Sequence, residues 1–360
     1  MLRLLTAPIA LVYGIAVKVR NLLYDLKIIK SIPIKRATIC VGNLTVGGTG
    51  KTPHVEYLIH MLSPKYKIAI LSRGYKRKTK GFRYVEVEST EEEVGDEPLQ
   101  IKTKYPEITV AVDGNRVRGA NTLITNEPNI EVILLDDAFQ HRRIQPGYSI
   151  LLTDYNNLIT NDYFLPLGRL RDSLSELSRA DCVIVTKCPK AIKPIELRII
   201  TKELNLMPYQ SIFFSSLNYG TPLPVFRDNP MLLEISPRLK VLIIAGIANP
   251  LPFFDYVKSK FDVVDSIAFP DHYRYTEKKI RAIFERFSKI NTNHKIIITT
   301  EKDATRIKAI NSLDQNERNA LFYIPIEVVL ANDSESVFTN QIESYVRKSK
   351  RNGSLYKGKG

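Results

Sequence analysis

Between Thr45 and Thr52 the chain reads Thr-Val-Gly-Gly-Thr-Gly-Lys-Thr, directly after the apolar β-type run Ala37-Thr38-Ile39-Cys40-Val41 and before the amphipathic stretch His54 to Leu62. A glycine-rich turn placed there gathers backbone N–H groups onto an anion, because only residues with little or no side chain allow so close an approach. Thr45, Val46, Gly47, Gly48, Thr49, Gly50, Lys51 and Thr52 are therefore read as a phosphate-binding loop. Lys51 adds a point charge at the β- and γ-phosphates, and the Thr52 hydroxyl can ligate Mg²⁺. The usual pattern has a glycine where this chain has Thr45, so Gly47 and Gly48 are expected to supply the flexibility.

Apolar runs alternate with helical periodicity through most of the chain, the pattern of parallel sheets covered by helices on both faces. Strands are expected near Ala37–Val41, Ile68–Leu71, Ile108–Val112, Val132–Leu135, Ile150–Leu152 and Cys182–Thr186 for a first domain. A second set begins near Ser211–Phe214 and includes Val241–Ala245, Val263–Ile267, Lys295–Ile298 and Leu321–Ile324, with helices such as Glu277–Phe287 between. The Pro-rich stretch from Gly220 to Pro230 is the expected linker. The fold class is thus α/β: a P-loop NTPase-type, doubly wound, mostly parallel sheet with a second, smaller α/β domain and an N-terminal membrane-associated helix. The expected divisions are 1–30 for that helix, 31–215 for the P-loop core, 216–330 for the smaller domain and 331–360 for a C-terminal helix and basic tail. At 360 residues and 44% hydrophobic content, the chain has material for cores of this size.

The formal charge of +14 sits largely at the two ends. Lys18, Arg20, Lys27, Lys30, Lys35 and Arg36 follow an apolar run from Leu4 to Val17, and Arg347, Lys348, Lys350, Arg351, Lys357 and Lys359 form a tail with no acid after Glu343. No aromatic-interleaved basic groove of the kind that stacks bases is visible, so nucleic acid is not the expected partner. The apolar run is too short to span a bilayer comfortably. It could be a secretory signal, a core helix or an interfacial helix, and its union with flanking basic charge favours the last, each Lys or Arg contributing about 1 kcal/mol at an anionic surface. Cys40, Cys182 and Cys188 are an odd number without a Cys-x-x-Cys pair, which reads as buried reduced thiols.

Leu134-Leu135-Asp136-Asp137 ends an apolar strand in paired carboxylates, the arrangement by which nucleotide-binding α/β domains hold Mg²⁺ opposite the phosphate loop. Gln140, His141 and Arg142 follow it closely. Arg73, Arg116 and Arg171 each follow a strand or turn, where a planar fork can meet phosphate or, equally, a surface carboxylate. Asp96, in the polar loop Val94-Gly95-Asp96-Glu97-Pro98 before a helix from Leu99 to Tyr105, reads on its own as a helix cap. His272, in Phe269-Pro270-Asp271-His272-Tyr273, lies after a strand of the second domain and beside Asp271, a placement that suits the tuning of a base. Val185-Thr186-Lys187 and Thr299-Thr300-Glu301-Lys302-Asp303 resemble base-reading segments and do not decide which base.

Taken together, Val41-Gly42-Asn43-Leu44 with the loop and Pro53, Ser72-Arg73-Gly74-Tyr75, Gly95-Asp96-Glu97-Pro98, Leu135 through Arg142, Pro270-Asp271-His272-Tyr273 and Thr300-Glu301-Lys302-Asp303-Ala304 resemble the tetraacyldisaccharide 4'-kinase family, the lipid A 4'-kinases of Gram-negative bacteria. Thr45 belongs to that family's version of the loop. The resemblance implies a monomeric, monotopic kinase at the cytoplasmic face of the inner membrane, using ATP and Mg²⁺ to phosphorylate the 4'-hydroxyl of an acylated disaccharide 1-phosphate to lipid IVA. It implies Asp96 as general base with His272 assisting, as two domains close on ATP. It assigns Lys51, Thr52, Asp136 and Asp137 to phosphates and metal, and Arg73, Arg116, Gln140, His141 and Arg171 to substrate or phosphate. Asp172 stands where the family more often shows Glu, and no role is assigned to it. Two other classes compete: a P-loop switch or metallochaperone-type NTPase acting on a protein, and a nucleic-acid-dependent ATPase.

Overall fold

The computed structural model describes residues 2–226, 239–271, 273–310 and 312–357. The chain divides into two compact units, Met1–Leu217 with Val328–Gly360, and Asn218–Glu327. Strands β1 (Ala37–Asn43), β2 (Ile68–Ser72), β3 (Arg83–Tyr84), β4 (Thr109–Val112), β5 (Val132–Asp136), β6 (Tyr148–Asp154), β7 (Cys182–Thr186) and β8 (Ser211–Tyr219) come first. They are followed by β9 (Leu223–Pro224), β10 (Lys240–Ala245), β11 (Asp262–Ala268), β12 (Lys295–Thr300), β13 (Leu321–Ile324) and β14 (Ile326–Leu330). The helices used below are α1 (Leu2–Asp25), α2 (Lys51–Leu62), α3 (Asp96–Lys104), α4 (Arg116–Asn126), α5 (Leu251–Lys260), α6 (Glu277–Ser288), α7 (Glu301–Lys308) and α8 (Glu335–Lys357).

The first sheet runs β14-β8-β7-β6-β1-β5-β2-β4-β3. From β8 to β4 every pairing is parallel, and the short β3 lies antiparallel on β4. Strands β1, β2 and β5 are buried at every position, as a parallel sheet covered on both faces requires. Alternate residues of β1 serve opposite layers. Ile39 and Val41 join Leu58 and Leu62 of α2 and Phe338 and Ile342 of α8 in one core, while Cys40 joins Ala120 and Leu123 of α4 in the other. All three cysteines are free and buried, and burial pushes Cys40 and Cys188 up to about 12, which leaves them as inert thiols.

Two expectations need correction. Ser211–Phe214 is not the first strand of the second set: it lies within β8, paired in parallel with β7 in the first sheet. The expected linker is also structured at its start, where Gly220 donates to the Pro325 carbonyl and β9 pairs antiparallel with β13; residues 227–230 lie outside the described residues. The second unit is a five-stranded sheet in the order β9-β13-β12-β10-β11. One of its cores is closed by α6, whose Ile280, Ile283 and Phe287 recur at helical spacing on one face.

Helix α1 is longer than its apolar run from Leu4 to Val17, continuing through the basic residues to Asp25. One face packs on the first unit. Ala10, Val17 and Asn21 are buried, and a Cβ on Gly14 would sit 2.7 Å from the Phe164 ring, so only glycine permits this approach. The opposite face exposes Leu11, Val12, Ile15, Val19 and Leu22. At the other end of the chain, Phe338 on α8 is 1% exposed and wedged edge-on against Phe213. Phe338→Ala should therefore cost about 3–5 kcal/mol of folding free energy, read as a lowered denaturant midpoint. A wild-type midpoint would mean that α8 is only peripheral to the core.

A candidate active site at the phosphate-binding loop

The loop between β1 and α2 is held by backbone on both sides. Val46 N donates to the Arg169 carbonyl and Arg171 N to the Leu44 carbonyl, both at 2.8 Å, and Thr45 bridges antiparallel to Leu170. The Thr186 hydroxyl donates to the Thr49 carbonyl at 2.9 Å. Left-handed backbone falls at Gly47 (φ +103°) and Gly50 (φ +85°), so the second permissive glycine is Gly50 and not Gly48 as expected. Gly50 caps α2 without any side-chain hydrogen bond, which leaves the N–H groups of the first turn for an incoming anion.

His54, one turn into α2, was not anticipated from the sequence. Its Nδ1 lies 2.7 Å from the Gly50 carbonyl and its Nε2 3.0 Å from the Ser215 hydroxyl. A carbonyl only accepts, so Nδ1 carries the proton, and Ser215 donates to Nε2. The neutral ring thus ties the loop's last glycine to β8.

Strand pairing fixes the carboxylates. Asp136 registers beside Val41, and the next amide, Asp137 N, donates to the Val41 carbonyl at 3.0 Å. Arg171 forks onto both oxygens of Asp137 and also donates to Asn43 Oδ1, while Lys51 Nζ lies 3.3 Å from Asn43 Oδ1 and 3.9 Å from Asp137. Burial opposes the charge on Asp137, but Lys51 and Arg171 outweigh it and hold the carboxyl down at about 2. Asp136 behaves oppositely. Its burial, reinforced by the negative charges of Glu97 and Asp137, pushes it up to about 7, against the opposing pull of Lys51 and a hydrogen bond from Ser72. Its Oδ1 is buried without a hydrogen-bond partner among the described residues. Of the expected metal residues, Asp136 and the first-turn Thr52 therefore fit a divalent cation, whereas Asp137 already has both oxygens engaged.

Arg116, the first residue of α4, is 2% exposed. One nitrogen donates to the Asp113 carbonyl, while Nε and Nη2 are buried with no hydrogen-bond partner among the described residues. Burial lowers its pKa to about 10, and the attraction of Asp136 and Asp137 limits the fall. Two orphaned cationic donors beside two carboxylates are a ready seat for phosphate oxygens. Gln140 donates to the Asn43 carbonyl at 2.6 Å. His141 is held neutral, its pKa lowered to about 4 by burial and by Arg116 and Arg73. Arg73 is exposed and helps line an open cleft of about 510 Å³ together with Tyr75, Lys76, Asn115 and Arg118.

Asp96 is not in a loop but is the first residue of α3, capped by Gly95. Gly95 has φ +91°, and a Cβ there would lie 3.1 Å from Gly74 Cα, so the start of α3 is pinned against the turn that carries Arg73. The neighbouring Glu97 is near enough to act on Asp136. His272 lies outside the described residues. Neither base-reading segment offers a free carboxylate: Lys187 pairs with Asp154, and Asp303 is wholly buried, accepting from Gly246 N, Thr300 and Arg306. Besides His54, the residue that sequence reading missed is Asn43, at the very end of β1. It lay inside a quoted motif, but its contacts depend on partners as distant as Arg171.

Burial lowers the His54 pKa to about 4, against an ordinary 6.5, so the folded protein prefers the neutral ring. That stability is complete above about pH 6.5 and is lost as pH falls toward 4, with a ceiling on the order of 3 kcal/mol. Unfolding midpoints should therefore drop between pH 7 and 4, and His54→Asn, which keeps a donor for the Gly50 carbonyl, should flatten that drop. An unchanged pH profile in the variant would remove His54 from the account.

The chain matches known proteins along its whole length. A family model described as Tetraacyldisaccharide-1-P 4'-kinase (LpxK) matches residues 2–347. The Tetraacyldisaccharide 4'-kinase of Bacteroides thetaiotaomicron is 46% identical over 358 residues, covering 97% of this chain and 94% of that protein. That of Flavobacterium johnsoniae is 41% identical over 349 residues, covering 97% and 98%. In three dimensions the chain is similar to the crystal structure of the "apo" form of LpxK from Aquifex aeolicus in complex with ATP at 2.2 Å, with a TM-score of 0.75, 28% identity and coverage of 96% and 99%. Matches of this extent do not favour a switch or metallochaperone-type NTPase. This chain is a member of the tetraacyldisaccharide 4'-kinase family.

Proposed function

We propose that the chain transfers the γ-phosphoryl group of ATP to the 4'-hydroxyl of a tetraacyldisaccharide 1-phosphate, forming lipid IVA in lipid A biosynthesis. The observation that carries this reading is the convergence, at the ends of β1 and β5, of Lys51, Arg171 and Arg116 on Asp136 and Asp137 beside the uncapped start of α2. The loop amides and Lys51 hold the β- and γ-phosphates, and Arg116 brings two unspent donors to phosphate oxygens. Asp137 acts as the counter-charge that aims Arg171 and Lys51. Thr52 and Asp136 would hold Mg²⁺, which supplies charge neutralisation on the phosphate oxygens.

A phosphoryl transition state is loose, so the protein's work is positioning and electrostatic stabilisation. The bond that forms joins the 4'-oxygen to the γ-phosphorus, the bond that breaks releases ADP, and the hydroxyl proton passes to Asp96. A supporting role for His272 is read from the family motif Pro270-Asp271-His272-Tyr273 alone. Gln140 steadies the loop through Asn43, and the exposed Arg73, whose charge reaches His141, would meet substrate or phosphate together with it.

An acylated disaccharide stays in the bilayer while ATP stays in water, so the kinase needs an element that works at the boundary. By length and composition Thr6–Asp25 could cross a membrane. However, one face of α1 is occupied by protein, and the exposed apolar stripe that includes Leu11, Val12, Ile15, Val19 and Leu22 is left for lipid, which supports lying in the interface over spanning it. With ATP as donor, the working face is the cytoplasmic side of the inner membrane, and the chain acts there as a monomer.

Incubation with labelled ATP and acylated disaccharide 1-phosphate should yield labelled lipid; hydrolysis of ATP without labelled lipid would defeat the reading. Asp96→Ala should lower kcat by about 10²–10⁴-fold, and near-normal turnover would reject it as the base. Replacing Val12 and Ile15 together with glutamate should release the protein from sedimenting anionic vesicles, and unchanged co-sedimentation would reject α1 as the docking element.

A further inference from the structure

Two successive residues, Arg171 and Asp172, reach two different parts of the first unit. Arg171 reaches the phosphate-binding loop, forking onto Asp137 and Asn43. Asp172, wholly buried, reaches α1: it accepts from Asn21 Nδ2 at 2.7 Å and Arg20 Nη2 at 3.0 Å, and from its neighbour Ser173 N at 2.9 Å. The same helix touches the backbone between them, since the Tyr13 hydroxyl donates to the Arg171 carbonyl at 3.0 Å. On its other edge that backbone is tied to the loop by Arg171 N on the Leu44 carbonyl.

We propose that Asp172 is a positioning residue through which helix α1 sets the pose of Arg171 at the phosphate-binding loop. A buried carboxylate cannot give up a donor without stranding charge, so Asp172 holds its place only while α1 is seated. Arg20 is partly exposed and can exchange its contact for water, whereas Asn21 is buried, which makes Asn21 the decisive partner. Seating α1 thus preorganises the guanidinium, and by linkage a nucleotide that engages Arg171 tightens the seating of α1 in return. The aspartate length matters here, because both oxygens are matched to donors on one helical turn. The inference rests on the reading that Arg171 serves the nucleotide phosphates.

The test is calorimetric titration of a non-hydrolysable ATP analogue into the full-length chain, as wild type, Arg171→Ala, Asn21→Ala, Asp172→Ala, Asp172→Asn and the Asn21→Ala/Arg171→Ala double variant, with thermal unfolding run alongside. Arg171→Ala should weaken binding more than tenfold, and Asn21→Ala and Asp172→Ala by about 5–20-fold, the range of ordinary coupling between sites. Asp172→Asn, whose amide oxygen still accepts from Asn21, should recover part of the loss. In the Arg171→Ala background Asn21→Ala should cost nothing further, a non-additivity that a merely structural contact would not give. If Arg171→Ala binds like wild type, the phosphate reading of Arg171 fails and takes the inference with it. If Arg171→Ala weakens binding but Asn21→Ala does not, or if the two losses simply add, the inference alone is overturned. Should Asp172→Ala fail to fold, the cycle between Asn21 and Arg171 still decides.

Discussion

Two short stretches of backbone, Leu44–Val46 and Arg169–Arg171, bond to one another, and the chemistry of the first unit hangs from that ladder. One stretch leads into the amide-rich turn, and the other delivers the guanidinium that balances it. The neighbouring pairing of β1 with β5 then leaves no freedom over where Asp136 and Asp137 stand. Side chains so fixed can be given unequal electrostatic lives. Asp137 is saturated with positive charge, Asp136 is short of it, and Arg116 keeps donors that no other described residue satisfies. A site built this way is complete only with anion and cation in place, which is how preorganised charge stabilisation is stored before a substrate arrives.

The six central strands of the first sheet from β1 to β7 other than β3 were legible because each has an apolar or β-branched run, whereas the short β3 and the edge strand β14 were not expected; the loop was legible because its glycines and Lys51-Thr52 have few other uses. What escaped had long-range causes. Asn43, His54 and Asn21 take their meaning from Arg171, Ser215 and Asp172, which lie 128, 161 and 151 positions away. Ser211–Phe214 carries no mark of which sheet it joins, since its partner β7 is what decides that. The apolar run of α1 stops at Lys18, yet the helical repeat that packs on protein continues through Asn21, and the helix ends at Asp25, inside the expected 1–30. Asp96 carries no local signal that separates it from a cap; only the motif around it singled it out.

The basic composition also changes meaning once the cations are located. Arg142 is nearly buried, lies over the Tyr24 ring at 5.1 Å and donates to the Asn21 carbonyl, so it is spent on seating α1. Arg179 stacks on Phe139 and pairs with Glu176. Formal charge counted along a sequence therefore overstates what such a surface presents to a partner.

Because the second unit is spliced into the first between β8 and β14, the layer that seals Ile39, Val41 and Leu134 is supplied by Phe338, Ile342 and Val346. During synthesis, that side of the nucleotide sheet has only α2 to cover it and stays incompletely sealed until Val346 has cleared the ribosome. The intervening unit owns separate cores and can fold while its host waits. The host's core is therefore the last to close, by a helix that is made only after the whole insert has been synthesised.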